Sequence, residues 1–270
     1  MEPAMVLALL WVFFGVLHIG LTTAAVRGWL VSRLGELWFR LLYSIIALAT
    51  FSFVIVYYAQ HRHEGVPGLA LGSVGAVRPI LIAVIVLSIA MMVGSFATYS
   101  DSPYAMLGEG GFPPPRGLER VSRHPFFAGL VMFSIAHALL ATHLVGTAFT
   151  AGIGAVALIG MAHQDRKLKA RYGAAFDQYL ETTSAVPFAA ILVGRQRLQW
   201  REVSGFYLGA GIALAITLRA VHSSLFAHDG APFVVGTIAS LALIFVQGLA
   251  HKKAQTREQV DWPLAGERRA

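Results

Sequence analysis

Long apolar runs of about 20 residues alternate along the chain with short polar or basic connections. The runs are continuously apolar and do not alternate with a period of two, so they predict helices. Their length matches the hydrocarbon thickness of a bilayer, where helices satisfy every backbone hydrogen bond internally. We therefore predict an all-α polytopic membrane protein with about seven spans, at residues 5–26, 37–59, 79–98, 126–145, 146–162, 203–221 and 232–250.

Composition and charge agree with a membrane protein. Hydrophobic residues make up 56% of the chain and charged residues 13%, whereas soluble proteins carry about 25% charged residues. The net charge of +7 does not indicate a nucleic-acid partner, because the basic residues lie between the spans. With the N-terminus outside, 17 Lys and Arg residues fall inside and two, Arg62 and Arg78, outside. The positive-inside rule thus supports seven spans, with the N-terminus outside and the C-terminus inside.

We predict a single domain over 1–270, with these further features. The chain has no cysteine, which excludes disulfides, thiolate metal sites and iron–sulfur clusters. The first span has no basic segment before it, so we expect it to be retained as a transmembrane helix. Residues 163–184 predict a basic amphipathic helix on the inner face, with Asp165 and Lys169 spaced to pair. Residues 186–194 are apolar but too short to span, which favours a re-entrant or interfacial segment.

Two histidines lie inside predicted spans, His18 in the first and His137 in the fourth. An ionisable ring at membrane depth is costly without a partner, which makes both residues candidates for a functional site. Counted from the inner ends of their spans, the two differ in depth by only ~6 Å. A porphyrin between the two helices could then take one axial imidazole from each side. The alternative is that each ring simply hydrogen-bonds to a backbone carbonyl or a hydroxyl group.

The segment Arg123-His124-Pro125 opens the fourth span. Pro125 suits the first turn of a helix, and Gly129 would let another helix approach closely. Arg123 and His124 are then expected at the inner headgroup level, where a lipid headgroup, a haem propionate or a nucleotide carboxylate would suit them. The His-x-His pattern at 61–63 has no third ligand nearby in sequence and is typical of an ordinary outer loop.

Several motifs together resemble the NnrU family, whose plant and cyanobacterial branch is the 15-cis-ζ-carotene isomerase. They are VLHIG (16–20), GELWFRLLYS (35–44), SRHPFFAG (122–129), SIAH (134–137), HQDRKLKARYG (163–173) and TSAVPFAAILVGRQ (183–196). The resemblance implies haem b and a metal site formed by His18 and His137. From their position at the inner side, we expect Arg123, His124 and Arg40 to steady the haem propionates. The resemblance also implies redox-gated cis–trans isomerisation or, in the bacterial branch, a link to denitrification and nitrogen-oxide metabolism.

One residue departs from the pattern of the isomerase branch. Ser134 stands where some plant relatives have a cysteine that competes as an iron ligand. Serine is a poor iron ligand, which argues against a ligand switch in this chain. The expected partners are the lipid bilayer, haem, and either an apolar substrate reached through the bilayer or a redox protein.

Two alternative functions stay open. The Arg-His-Pro segment also resembles the isoprenylcysteine methyltransferase group, although Phe127 replaces the tyrosine of that motif. An S-adenosylmethionine-dependent methyltransferase would place its cofactor near Arg123, His124 and residues 163–181. A non-enzymatic accessory factor of a respiratory complex would use the buried histidines for packing alone.

Overall fold

The computed structural model of the chain describes residues 1–99, 102–104 and 113–224. Within these ranges the chain is helical and carries a single β-bridge, between Pro67 and His143. This confirms the predicted all-α class. The helices are α1 (Pro3–Gly20), α2 (Ala24–His61), α3 (Val77–Gly94), α4 (Pro125–Leu140), α5 (Leu144–Tyr172), α6 (Ala174–Thr182), α7 (Ala189–Leu192) and α8 (Gly205–Ala220).

Six of the seven predicted spans fall within the described ranges, and each contains a helix. Four are long and apolar enough to cross a membrane: Pro3–Gly20, Ala24–His61, Val77–Ala97 and Leu144–Tyr172. The other two, α4 and α8, are apolar but have only 16 residues each. The span predicted at 232–250 lies outside the described residues, as does much of the glycine- and proline-rich segment before α4.

The first two spans have different boundaries from those predicted. α1 ends at Gly20 and not at residue 26, because the hydroxyls of Thr22 and Thr23 donate to the last carbonyls of the helix. α2 begins at Ala24, well before residue 37, and is interrupted at Gly35, where φ is +79°. Glycine adopts this backbone conformation without steric cost. The kink separates residues 24–34 from the membrane helix that follows.

The predicted break between the fifth span and a separate amphipathic helix is wrong. α5 continues through the basic residues to Tyr172, since no glycine or proline interrupts positions 161–172. Gly173, with φ +52°, ends this helix and lets α6 start in a new direction. The short apolar segment at 186–194 contains α7, a single helical turn that follows Phe188 at φ +63°.

The six apolar helices pack in the spatial order α2, α1, α5, α4, α3, α8. α5 is central: one face contacts α1, with Trp11 against Gly152, and another contacts α4, with Ser134 against Gly154. α3 in turn lies between α4 and α8. Gly129 of α4 confirms the predicted close approach, because a Cβ atom there would lie 2.7 Å from the Ser88 carbonyl oxygen of α3.

Candidate functional site

Asp165 of α5 forms the centre of a polar cluster at the N-terminal end of α4. Its Oδ2 accepts hydrogen bonds from Nε and Nη2 of Arg123, at 3.1 and 2.8 Å. Its Oδ1 accepts from the Tyr104 hydroxyl at 3.0 Å and lies 2.8 Å from Nε2 of His124. The carboxylate therefore joins the 102–104 segment, the start of α4 and the C-terminal third of α5.

The surroundings of this cluster favour neutral His124 and Tyr104. Burial lowers the pKa of His124, although its hydrogen bond to Asp165 acts in the opposite direction. Burial and the nearby carboxylate raise the pKa of the Tyr104 hydroxyl. Arg123 and His124, which we predicted would face an external anion, are thus both engaged by the protein's own carboxylate. The predicted Asp165–Lys169 pair is wrong, because Lys169 pairs with Asp177.

A second ion pair, between Arg120 and Glu202, lies in the segments that precede α4 and α8. Glu202 accepts from Nε and Nη2 of Arg120, at 2.7 and 2.9 Å, and from the backbone of Gly117 at 3.0 Å. The Arg120 hydrogen bond lowers the pKa of Glu202 to about 2. Arg120 also donates to Gln196 at 2.7 Å. This arrangement ties the turn before α4 to the turn before α8.

Arg40 lies on α2, separate from the Asp165 cluster. Its Nε donates to Glu36 at 2.7 Å, and Arg27 donates to the same carboxylate at 2.7 and 2.8 Å. The Arg40 side chain is 54% exposed. The structure therefore places Arg40 in a surface ion-pair network and gives it no shared partner with Arg123 or His124.

His18 lies in the last turn of α1 and contacts α2. The Tyr43 hydroxyl lies 3.0 Å from Nδ1 and 3.2 Å from Nε2 of the ring. The ring also stacks on Phe14, with 4.9 Å between ring centroids. His18 thus has a hydroxyl partner, as the alternative without a metal predicted.

His137 lies in the last turn of α4, with a different set of neighbours. Its Nδ1 is 3.1 Å from the backbone carbonyl oxygen of Phe133. A carbonyl only accepts, so Nδ1 carries the proton and Nε2 of the neutral ring keeps its lone pair. The ring centroid lies 6.3 Å from that of His222, which follows α8, and the two ring planes differ by 23°.

His18 and His137 lie on helices that contact different stretches of α5. On one side of His18 in the chain, Gly15 lies near Val156 of α5, and on the other side Thr22 lies near His163 of α5. On one side of His137 in the chain, Ser134 lies near Gly154 of α5, and on the other side Ala138 lies near Thr147 of α5. The centres of these two stretches of α5 are nine residues apart, or about 13 Å along the helix. The two histidines also lie on different faces of α5.

The predicted site residues therefore divide between two ends of the bundle. His18, Arg40, Arg123 and His124 lie toward the end that contains Asp165, which we call the Asp165 end. His137 lies 13 residues along α4 from His124, about 20 Å away, at what we call the His137 end.

Ser134 lies one turn before His137 and points toward α5. A Cβ atom on Gly154 would lie 3.0 Å from Cβ and 3.3 Å from Oγ of Ser134. The hydroxyl is buried and has no hydrogen-bond partner among the described residues. Position 134 thus belongs to the α4–α5 packing interface.

Four residues of these sites were missed or misassigned from the sequence: Asp165, Tyr104, Tyr43 and His222. The sequence paired Asp165 with Lys169 because residues four apart on a helix are close in space. Its partners in the structure are 41 to 61 residues away along the chain. His222 directly follows the span predicted at 203–221. Its contact with His137 depends on α3 packing against both α4 and α8, which hydrophobic periodicity does not reveal.

Comparisons with known proteins match most of the chain. A family model described as NnrU protein matches residues 5–251. Two similar curated proteins are named 15-cis-zeta-carotene isomerase, chloroplastic: that of Zea mays is 30% identical over 199 residues, and that of Arabidopsis thaliana 31% over 203. The alignments cover 72% and 73% of this chain and about half of each relative, 52% and 53%. No solved structure matches the chain significantly.

Proposed function

The chain belongs to the NnrU family, and on this basis we propose that it is a membrane cis–trans isomerase that acts on an apolar polyene and uses haem b. The observation that carries the proposal is the 30–31% identity to two 15-cis-zeta-carotene isomerases over nearly three quarters of the chain. The apolar helices agree with a substrate that enters from the bilayer. The proposed substrate class is a 15-cis carotenoid.

The donor set at His137 suits an axial ligand of haem. A histidine that binds a metal commonly donates its other ring N–H to a backbone carbonyl, which fixes the ring and its tautomer. The hydrogen bond from Nδ1 of His137 to the Phe133 carbonyl has this arrangement and leaves Nε2 for the metal. His18 is the second ligand that the resemblance implies, and its neighbours on α5 lie about 13 Å along that helix from those of His137.

In the proposed reaction, haem would supply a redox-active iron beside the polyene. The residues of this chain have simpler roles. His137 would hold the group through Nε2, the Phe133 carbonyl would orient the ring, and the apolar side chains of α3, α4 and α8 would keep water away. A cis–trans isomerisation makes no net change in the bonds to hydrogen of the substrate, so the site has no proton to take up or release overall.

The methyltransferase alternative depends on Arg123 and His124 being free to hold a nucleotide carboxylate. Both side chains contact Asp165, so an anionic cofactor would have to displace that carboxylate. This geometry favours a structural role for the cluster.

The test is isomerase activity of the purified protein. Protein in detergent is incubated anaerobically with 15-cis-ζ-carotene and a reductant, and the isomers are separated by chromatography. We expect conversion by the wild type and none by His137→Ala. A matched control is His61→Ala, because Nδ1 of His61 also lies near the carbonyl four residues earlier, Tyr57, at 2.9 Å; this variant should retain activity. Wild-type conversion no faster than in protein-free samples would refute the proposal.

A further inference from the structure

We propose that Arg27 and Lys167 bind the phosphate of an anionic phospholipid at the Asp165 end of the bundle. This inference is independent of the proposed function, since its residues lie at the opposite end of the bundle from His137. The observation that carries it is a pair of cations, one from the start of α2 and one from α5, that lie near each other. Lys167 has no carboxylate partner among the described residues.

A contact between the end of α1 and α5 brings the two cations together. The Thr22 hydroxyl lies 3.3 Å from Nε2 of His163. Arg27 follows in the first turn of α2, where its backbone N–H donates to the Thr23 carbonyl at 2.9 Å. Lys167 follows His163 by four residues, one turn further along the same face of α5. The positive charges of Arg27 and Lys167 repel each other across this contact.

The carboxylate next to Arg27 does not neutralise this surface. Glu36 accepts hydrogen bonds from both Arg27 and Arg40, so one negative charge serves two cations. In the part of the chain that the structure describes, Arg166 and Lys167 form no salt bridge. Like charges that folding brings together destabilise the compact state. An anion bound between α2 and α5 would remove this repulsion and stabilise the protein.

The apolar residues around these cations favour a phospholipid over a soluble anion. Trp29, in the helical segment 24–34, is 60% exposed, and Trp38, after the kink, is 66% exposed. Exposed tryptophan is typical of the boundary between lipid headgroups and hydrocarbon. Both tryptophans therefore place this part of α2 at headgroup depth, where the anions that Arg27 and Lys167 meet are lipid phosphates.

Lys169 provides a comparison on the same helix. It lies two residues after Lys167, about 200° around α5, and it pairs with Asp177. Its charge thus already has a partner within the chain. Lys169→Gln removes the same charge from the same helix as Lys167→Gln and is the matched control.

The experiment measures the unfolding temperature of the full-length protein in a neutral detergent as a probe is added. The probes are dioleoyl phosphatidylglycerol, which is anionic, dioleoyl phosphatidylcholine, which has no net charge, and inorganic phosphate. A ligand of the folded state raises the unfolding temperature with its concentration, so phosphatidylglycerol should stabilise the wild type more than either other probe. Lys167→Gln should weaken the apparent affinity for phosphatidylglycerol about fivefold, whereas Lys169→Gln should match the wild type.

A second variant, Lys167→Glu, supplies the negative charge from the chain itself. Without lipid it should unfold at a higher temperature than the wild type, and phosphatidylglycerol should raise that temperature no further. Equal stabilisation of the wild type by phosphatidylcholine, or none by phosphatidylglycerol, would overturn the proposal. Stabilisation by inorganic phosphate to the same extent would identify a soluble anion as the occupant and overturn the lipid assignment. An equal loss of affinity in Lys167→Gln and Lys169→Gln would show general attraction to basic residues and also overturn it.

Discussion

The contact between α3 and α8 gives a quantitative prediction, since it determines where His222 lies. A Cβ atom on Gly211 would lie 2.7 Å from Cα of Ala90, 3.1 Å from Cβ of Val93 and 3.2 Å from the Ile89 carbonyl oxygen. Carbon atoms in favourable contact are about 3.5–4.0 Å apart. Gly211→Ala therefore forces the two backbones apart, and overpacking of this kind typically costs about 1–3 kcal/mol.

Gly209→Ala is the matched control, because it makes the same substitution two residues earlier in the same helix. A Cβ atom at position 209 meets no atom within 4 Å. Both variants share the gain in helix propensity on replacing glycine, up to about 1 kcal/mol. The difference between the variants thus isolates the overpacking, and we expect Gly211→Ala to be less stable by about 1–3 kcal/mol.

The assay is denaturant or thermal unfolding of both variants in the same detergent. Gly209→Ala should be as stable as the wild type or more stable. Equal stability of the two variants would refute the close approach of α8 to Ala90, and with it the packing that brings His222 toward His137.

Three further predictions concern stability. Asp165→Asn should cost about 2–4 kcal/mol in unfolding experiments, since it leaves a partly buried Arg123 without its charge partner; Asp177→Asn, in an exposed pair, should cost less than about 0.5 kcal/mol. Ser134→Ala should stabilise the protein by about 1 kcal/mol, because it removes a buried hydroxyl without a hydrogen bond, and a loss of stability would contradict this. Glu202 has a pKa lowered from 4.5 to about 2, so wild-type stability should fall as the pH drops from 4.5 toward 2. Unfolding curves at several pH values should show a smaller fall for Glu202→Gln, and parallel pH profiles would contradict the ion pair.

The length of the apolar runs predicted the class of fold and the six spans that fall within the described residues, because apolar length is a property of the sequence itself. The ends of the helices were less predictable. α5 runs past its apolar part to Tyr172, since helix continuity depends on the absence of breakers and not on hydropathy. The kink at Gly35 depends on a single backbone conformation, which composition does not specify.

The candidate site was predicted in part. The Arg123-His124-Pro125 segment does open α4, and both side chains do contact a carboxylate, but that carboxylate is Asp165 of the same chain. The depth estimate for His18 and His137 used predicted span ends. Because α1 ends six residues earlier than predicted, the two residues lie further apart along the bundle than the sequence suggested.

The central claim is that His137 holds haem within this membrane bundle. The most direct measurement is the haem content per protein of wild type and His137→Ala, purified in parallel and compared by their reduced-minus-oxidised visible spectra. The account predicts a b-type spectrum near one haem per chain for the wild type and its loss in His137→Ala, while His61→Ala keeps it. Equal haem content in wild type and His137→Ala, or no haem in the wild type, would contradict the account.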